Sequence, residues 1–449
     1  MGESALDGRL GSAVRAGDAE AVRELLDKGA DPDAVDSNGL PVLCLAVAAY
    51  DAPVAEVLVE GGANPDRVLP DGTTPLWRAV DGGSPATFSA VLGKEPRLRL
   101  PQAARDRLLA LARSWYETGA AEELRRRTGA PGPVATVRVE DDEFNWVDQL
   151  SHGGLVVRAG HGAVLTSLEW AFRVLTPADE LIARALEQPD AEHVVWSTVC
   201  WILAQRRSFE TWSAVVAHRH DPERAHRLFV LDCLRTRGFL DSSPLYDKQV
   251  RDLLAVWVTE EPDGEVLAKA LDLFTEYGHP DQEAIGLRHA GHPDARVRRE
   301  VPYALCMDFA ARSPAARAAL LALVRDPVPE VRLRACRTGL RDDALLSEII
   351  PALLSLAEAP DADLRGPAAE ALADSPDRTP VVADALVALL GDEDQLVRLV
   401  AGYGLALRDD PRTAEAFERV GPLGAGYEYD HRADVLWRWK WRQERSADE

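Results

Sequence analysis

The sequence predicts an all-α protein built from two α-solenoids, with a short possible β-hairpin as the connector between them. Two observations predict this fold class. One short motif returns about every 33 residues toward the C-terminal end, and a different motif returns at a similar interval over roughly the first 100 residues. Repeats of this length indicate stacked helical units, each of which buries its core only against its neighbours. The stretch between them carries neither motif and predicts a separate element.

The N-terminal repeat is defined by its turns. Residues 29–33 (GADPD) return as residues 62–66 (GANPD), and residues 71–77 (DGTTPLW) open the third copy. Glycine supplies the positive φ that such turns require. Thr74 can cap a helix that holds Pro75 in its first turn. The pattern therefore predicts paired helices over residues 1–131, with three clear copies and a degenerate fourth.

These turns resemble those of ankyrin repeats, with Trp77 in place of the family's histidine. The resemblance implies that protein partners contact the hairpin tips and the inner face of the first helices. The tip residues carried over by register are Val35, Ser37, Arg67 and Leu69. The inner-face residues carried over are Arg15, Leu45, Arg78 and Asp81, with Trp77 beside them.

The connector, residues 132–167, follows a break rich in Pro and Gly. Residues 134–139 alternate apolar and other side chains, which predicts a strand. Residues 153–158 are expected to form a second strand that closes a hairpin. The acidic run 140–143 lies between them and lacks the alternating ligands and the glycine of a calcium-binding loop. We therefore predict a solvated loop at the acidic run.

The C-terminal repeat, within residues 168–425, is an apolar residue followed by Arg, two variable residues and then Ala or Val. Its four clearest arginines are Arg298, Arg332, Arg365 and Arg398. The apolar and small residues share one helix face, whereas the Arg points away from it. An Asp lies four residues before the Arg in three copies. We therefore expect Arg and Asp to pair within or between repeats rather than to bind a ligand.

This motif resembles HEAT repeats, including the variety found in phycobilisome lyases. The resemblance implies a superhelix with an extended concave surface, which would supply a second binding site. Weaker copies of the turn continue back to about residue 175 and predict about seven units.

Residues 426–449 are predicted to form a tryptophan-rich capping helix and a tail. Trp437 and Trp441 share one helix face, and Trp439 points nearly opposite. The favoured interpretation is that Trp437 and Trp441 pack on the last repeat. The alternative is that they dock a protein partner, because Trp and Arg frequently anchor interfaces.

The net charge is −23, and none of the four blocks 1–133, 134–290, 291–408 and 409–449 is basic overall. Bulk electrostatics therefore oppose binding to nucleic acid or to an anionic membrane. No apolar run approaches the ~18 residues of a membrane span. The five cysteines are scattered, which argues against a disulfide framework and favours a reducing compartment. We expect a cytoplasmic protein, and the dominance of Arg over Lys indicates a bacterial source with a GC-rich genome.

Six of the ten histidines fall into two groups, His218, His220 and His226, and His279, His289 and His292. Several lie at predicted turns, where His tolerates solvent, so this interpretation is favoured over a zinc site. The sequence contains no motif of a serine hydrolase, a zinc protease or a phosphate-binding loop. We therefore predict no catalytic residue, no metal and no cofactor.

The predicted function is a non-catalytic scaffold or adaptor for protein–protein interaction, acting as a monomer. Two solenoids in one chain would bring two proteins together. The first alternative is an enzyme on a HEAT-like scaffold, either bilin lyase-like or DNA glycosylase-like. A DNA glycosylase would need a basic groove, which the acidic composition opposes. The second alternative is an acidic regulatory or inhibitory protein, which only the net charge supports.

Overall fold

A computed structural model of the chain describes residues 3–241, 243–306, 312–424, 426–427 and 430–447. The chain divides into two compact units, Met1–Asp241 and Ser242–Glu449. The division falls inside residues 168–425, the segment assigned above to one solenoid. Residues 428–429 and 448–449 of the predicted capping helix and tail lie outside the described residues.

The first unit begins with helical hairpins. Its opening helices are α1 (Glu3–Ala16), α2 (Ala19–Asp27), α3 (Val42–Ala49), α4 (Ala52–Glu60), α5 (Pro75–Gly82), α6 (Pro85–Leu92), α7 (Pro96–Arg99), α8 (Gln102–Thr118) and α9 (Ala120–Thr128). Helices α1, α3, α5 and α8 pack side by side in one layer, and α2, α4 and α6 form the other. Leu10, Leu43 and Leu58 are fully buried. Burial of such leucines holds neighbouring hairpins together, because each hairpin alone leaves an apolar face in water.

The helix starts follow the turn chemistry read from the sequence. Thr74 accepts a hydrogen bond from the Trp77 N–H at 3.0 Å, and Pro75 is the first residue of α5. Asp18 and Asp51 cap α2 and α4 in the same way, with donor–acceptor distances of 2.9 and 3.0 Å. Each cap satisfies a backbone N–H that the helix itself leaves free.

The degenerate fourth copy also forms a hairpin, in which α8 packs against α9. Ala112 and Leu124, the two positions in register with the earlier copies, have no exposed surface. The lost turn motif therefore changes the connection and leaves the packing of the helix pair intact.

A three-stranded antiparallel sheet follows, with β1 (Ala135–Glu140), β2 (Trp146–His152) and β3 (Leu155–Arg158) in sequential order. Both predicted strands are present as β1 and β3, but they do not pair directly, because β2 lies between them and pairs with both. Gly153 and Gly154 form the turn between β2 and β3, with φ of 55° and 84°. The pattern of β2 hides it from the sequence, since polar Asp148 and Gln149 stand together between the buried apolar residues.

The first unit ends with α10 (His161–Ala171), α11 (Ala178–Leu186), α12 (Val194–Gln205), α13 (Phe209–Ala217) and α14 (Arg224–Leu240), with a 3-10 turn at His218–His220. Helix α10 packs on α8 and on α12, and α12 packs on α14. Inside this group, Arg184 Nη1 lies 3.0 Å from Glu169 Oε2, and both side chains are buried. Removing either residue of such a buried ion pair is destabilising, because the charge of the other residue is left uncompensated.

The second unit is built from a further series of helices. They are α15 (Pro244–Glu260), α16 (Gly264–Thr275), α17 (Gln282–His289), α18 (Ala295–Ala304), α19 (Pro314–Val324), α20 (Pro329–Gly339), α21 (Leu346–Ala357), α22 (Ala362–Asp374), α23 (Pro380–Leu389), α24 (Gln395–Leu407), α25 (Thr413–Val420) and α26 (His431–Ala447). The even-numbered helices from α16 to α24 pack in succession, and each is backed by an odd-numbered neighbour. Across the part of the chain that the structure describes, no helix is both long and apolar enough to cross a membrane.

The repeated arginines of the second unit serve the fold. Arg298 donates to two backbone carbonyls of its own turn, and its Nε and Nη2 donate to the carboxylate of Asp326 in the next repeat at 2.7 and 3.0 Å. Arg365 makes the same contacts with its own turn and with Asp392. Arg and Asp therefore do pair between repeats, but through Asp326 and Asp392 rather than through the aspartates that the spacing had indicated.

The aspartates four residues before the arginines have a different role from the one expected. Asp294, Asp361 and Asp394 each accept a hydrogen bond from the backbone N–H two residues on, at 2.9, 3.0 and 2.7 Å. Each is the N-terminal cap of a helix. The free N–H groups of the helix start occupy these carboxylates, and Arg298 and Arg365 pair instead with an Asp one repeat further along.

The C-terminal helix α26 buries the opposite face from the one favoured above. Trp439 is 6% exposed, packs with Leu436 and donates its Nε1–H to Asp409 at 3.0 Å. Trp437 and Trp441 are 58% and 63% exposed. The expectation that Trp437 and Trp441 form the packed face of α26 was wrong, because Leu436 and Trp439 form it and Asp409 accepts the hydrogen bond of the Trp439 indole. Trp437 contacts only the ring of Phe417 among the aromatic residues of the described chain.

Candidate functional site

A groove in the first unit is the candidate functional site. It encloses about 420 Å³ and is lined by the first-helix layer on one side and by β3 on the other. Its charged and aromatic lining residues are Tyr50, Asp71, Trp77, Arg78, Asp81, Trp115 and Arg127. Leu155 and Val156 of β3 line it as well and are 47% and 46% exposed. A partly exposed apolar surface beside polar groups is typical of an interaction site.

A buried carboxylate fixes the sheet to the third hairpin. Asp141 is 7% exposed and accepts hydrogen bonds from Ser84 Oγ at 2.6 Å and from the Ala86 N–H at 2.8 Å, at the start of α6. Arg158 of β3 donates to the same carboxylate at 2.8 Å. The prediction that the acidic run is a solvated loop was therefore wrong at Asp141, which caps a helix and compensates an arginine.

Tyr50 lies at the junction of the helices and the sheet. Its hydroxyl is 3.2 Å from the Gly82 carbonyl and 3.1 Å from the Val156 carbonyl. The Arg158 guanidinium lies 4.6 Å from the centre of the Tyr50 ring. Burial raises the pKa of Tyr50 to about 12, so the phenol keeps its proton and remains a donor at neutral pH.

The floor of the groove is formed by Trp115 and the side chains that contact it. Its Nε1–H donates to Asp81 at 2.8 Å, and Arg127 Nη1 donates to both oxygens of that carboxylate at 2.8 and 2.9 Å. The Arg127 guanidinium lies 4.3 Å from the centre of the Trp115 ring, and His161 stacks on this ring at 4.6 Å. Burial lowers the pKa of His161 to about 4, so this ring is neutral at physiological pH.

The mouth of the groove carries a charged pair held in one geometry. Arg78 Nη2 donates to Asp71 at 2.8 Å, and its Nε donates to Thr73 Oγ1 at 3.1 Å. The hydrogen bond from the Thr73 hydroxyl is the main reason that the pKa of Asp71 falls to about 2. The two charged side chains are 32% and 51% exposed, so a partner can reach them without first ordering them.

The structure brings three of the predicted site residues together, since Trp77, Arg78 and Asp81 all line the groove. Arg15 lies elsewhere on the first-helix layer, with its side chain 53% exposed and its guanidinium 3.8 Å from the carboxylate of Asp36.

The remaining predicted residues of the first unit have structural contacts. Leu45 is half-buried and packs on the core of the hairpin stack. Arg67 donates to the Asp33 carbonyl at 2.9 Å and so joins two neighbouring tips. Leu69 is 5% exposed, which corrects its assignment to a solvent-facing tip. Its N–H donates to the Thr73 carbonyl, and this tight turn directs the leucine side chain inward.

Several groove residues escaped the sequence reasoning. Tyr50, Trp115 and the pair Leu155 and Val156 come from separate elements that only the fold brings together. Arg127 belongs to a run of three arginines in the last turn of α9, a position typical of solvated side chains, yet it is bound to Asp81. The Gly-Gly turn before β3 was the sequence signal that could have indicated this side of the groove, because it marks where an exposed strand begins.

The second unit offers two surfaces. A groove of about 750 Å³ is lined by Arg337, Arg341, Asp343, Glu370 and Asp374, among others. Arg337 Nη2 lies 3.4 Å from Glu370 Oε2. The two arginines face three carboxylates, so this surface lacks the positive potential that binding to DNA requires.

The other surface is on α26, where Trp437 and Trp441 are exposed beside Phe417. The rings of Phe417 and Trp437 meet edge to face at 4.9 Å between centres. Lys440 Nζ lies 4.2 Å from the centre of the Phe417 ring. The outer face of α26 is thus aromatic and cationic.

Paired helices stacked in layers, with an open groove on one layer, define a repeat protein of the α-solenoid class. Residues 10–99 match the family described as ankyrin repeats (3 copies), and residues 318–406 match the family described as HEAT repeats. The predicted order, ankyrin repeats followed by HEAT repeats, is confirmed. Repeats of both kinds generally serve as scaffolds for protein interaction. No curated protein gives a significant match to the chain.

Proposed function

We propose that the chain is a non-catalytic adaptor and that the groove of the first unit binds a segment of a partner protein. The proposal rests on two partly exposed apolar residues of β3, Leu155 and Val156, and on the ordered Arg78–Asp71 pair that lines the same groove. Leu155 and Val156 would contact apolar side chains of the partner, and Arg78 would bind its carbonyl or carboxylate groups. Arg is a frequent interface anchor because its planar fork loses little freedom for each hydrogen bond that it makes.

Asp81 acts indirectly in this proposal. Trp115 and Arg127 already occupy its carboxylate, so it holds the floor of the groove in place. Trp77 and Arg78 therefore remain as the inner-face residues that would touch the partner. Trp437 and Trp441 are proposed as a separate protein contact on the second unit, because two large aromatic side chains are exposed on one helix face.

The test compares a groove variant with a matched surface variant. The groove variant combines Leu155→Ser with Arg78→Ala. The control combines Leu98→Ser with Arg23→Ala, since Leu98 is 78% exposed and Arg23 lies on the exposed side of α2. Each tagged full-length chain is incubated with lysate of the source cells, and retained proteins are quantified by mass spectrometry.

We expect a protein that the native and control chains retain equally and that the groove variant retains at least about 10-fold less, since loss of two anchors costs more than about 1 kcal/mol each. The purified pair is then measured by calorimetry. Equal retention of every protein by the groove and control variants would refute a role for the groove.

A further inference from the structure

Two histidines and an aspartate converge where α13 passes into α14. His218 begins the 3-10 turn, Asp221 follows it, and His226 lies in the first turn of α14. His218 Nδ1 lies 3.6 Å from Asp221 Oδ2, and His226 Nδ1 lies 3.5 Å from Asp221 Oδ1. The imidazole rings are nearly parallel, with centres 5.3 Å apart and planes at 17°. Both rings therefore direct Nδ1 toward one carboxylate.

These distances do not describe a satisfied hydrogen-bond network. Separations of 3.5 and 3.6 Å exceed the range of ordinary N–H···O bonds. His226 Nδ1 is shielded from solvent and has no hydrogen-bond partner among the described residues. A shielded polar atom without a partner carries a free-energy penalty, and its presence in a native structure needs a reason.

The same distances suit a metal ion. One donor atom from each of His218, Asp221 and His226 can be chosen so that all lie within 4.8 Å of one another. Metal–ligand bonds of about 2.0–2.1 Å in a tetrahedral site place ligand atoms roughly 3.4 Å apart. The two observed nitrogen–oxygen separations, one to each oxygen of the Asp221 carboxylate, are within a few tenths of an ångström of this spacing.

The backbone already holds the carboxylate in place. The Glu223 N–H donates to Asp221 Oδ1 at 2.9 Å. Arg227 Nη1 donates to the carbonyl of Asp221 at 2.7 Å and so braces the turn. This hydrogen bond from Glu223 is the main cause that lowers the pKa of Asp221, which keeps the carboxylate ionised at neutral pH.

We propose that His218, Asp221 and His226 bind one divalent transition-metal ion of the zinc type, with a further coordination position open to water. Two imidazoles among three donors select this class of ion over magnesium or calcium, which prefer oxygen ligands. Asp179 Oδ1 lies 3.9 Å from Nε2 of His218, the ring nitrogen that faces away from the site. That carboxylate would accept the remaining N–H and orient the ring, as commonly occurs for metal-bound histidine.

The proposed site includes only two of the three histidines in the first group described above. His218 and His226 enter the site, whereas His220 is exposed and takes no part in the cluster. His220 belongs to the same short turn as His218, so it supplies a control of the same residue type.

The test uses the full chain without a histidine tag, stripped of metal by a chelator. Cobalt(II) is titrated and followed by visible absorption, and zinc(II) binding is measured by calorimetry. We expect one ion per chain in the native protein. His226→Asn and Asp221→Asn should each weaken binding more than about 10-fold, and Asp179→Asn should weaken it by up to about 10-fold, because it acts through His218.

His220→Asn should bind as the native chain does, and circular dichroism verifies that every variant is folded. Absence of cobalt(II) absorption in the native chain would overturn the site outright. Unchanged affinity in His226→Asn and Asp221→Asn, or equal loss in His220→Asn, would assign the binding to other residues and overturn it as well.

Discussion

Arg298 and Asp326 link two successive repeats through a bidentate ion pair in which both side chains are mostly buried. The exposed fractions are 14% for Arg298 and 6% for Asp326. Hydrogen bonds to charged groups contribute more than neutral ones, and a truncated partner leaves the other charge unsatisfied. The pair therefore belongs to the structural interior of the second unit, although it stands at a turn.

Replacing Arg298 with Ala should lower the free energy of unfolding of the second unit by about 1.5–3 kcal/mol. Urea denaturation followed by circular dichroism measures the change. Arg296→Ala is the control, because Arg296 is 51% exposed and its ion pairs are worth at most about 1 kcal/mol. Equal effects of the two variants would contradict the structural role of Arg298.

Asp141→Ala should destabilise the first unit by about 2–4 kcal/mol, since the change removes a helix cap and a buried acceptor of Arg158. Hydrogen exchange should speed up in β3 because the strand loses its link to α6. Glu143→Ala serves as control and should stay within about 0.5 kcal/mol of the native value, as Glu143 is exposed. Unchanged exchange in β3 would argue against Asp141 as the anchor of the sheet.

The stability of the first unit should fall as the pH is lowered from about 6.5 to about 4. In this window the His161 ring is protonated in the unfolded chain but neutral in the folded one, where its pKa is about 4. The unfolded state then binds more protons, so acid favours unfolding. Melting temperatures measured across this window should depend less on pH in His161→Gln.

His220→Gln provides the comparison for the pH experiment, because His220 is exposed and should keep the native pH dependence. A further histidine of the first unit, His193, also has a pKa lowered by burial, so part of the slope should survive in His161→Gln. An unchanged slope in that variant would show that His161 does not contribute.

Trp439→Ala should lower the stability of the second unit by about 3–5 kcal/mol, as for other buried aromatic residues. Trp437→Ala should change it by less than about 1 kcal/mol, because this ring is 58% exposed. Denaturant titration of both variants checks the difference. A larger loss in Trp437→Ala would reverse the assignment of the faces of α26.

Local patterns predicted the fold well. The prediction that Thr74 caps a helix with Pro75 in its first turn depends on only a few neighbouring residues. The structure shows both features. The recurring arginines could also be anticipated, because their spacing holds over four copies, whereas the aspartates that pair with them were not the ones expected. Helical periodicity likewise placed Trp437 and Trp441 on one face, opposite Trp439.

Periodicity could not tell which face of α26 is buried. That choice depends on Asp409, a distant acceptor for the Trp439 indole. The groove was missed for the same reason, since Tyr50, Trp115 and Val156 are brought together by the sheet. Its middle strand has no regular alternation to reveal it, and the role of Asp141 depends on that sheet.

The arginines that contact aspartates of neighbouring repeats restrict how the second unit can gain or lose residues. The Asp326 carboxylate binds Arg298 while its carbonyl accepts from Arg332, and Asp392 joins Arg365 to Arg398 in the same manner. Each of these two aspartates therefore contacts the arginines of two neighbouring repeats. In the repeat between them, Ala359 holds the same position: its carbonyl accepts from Arg365, but it has no carboxylate to offer Arg332. Deleting one repeat would place Ala359 opposite Arg298, whereas deleting two successive repeats would place Asp392 there. Gain or loss of two repeats at a time therefore preserves the ion pairs of this solenoid.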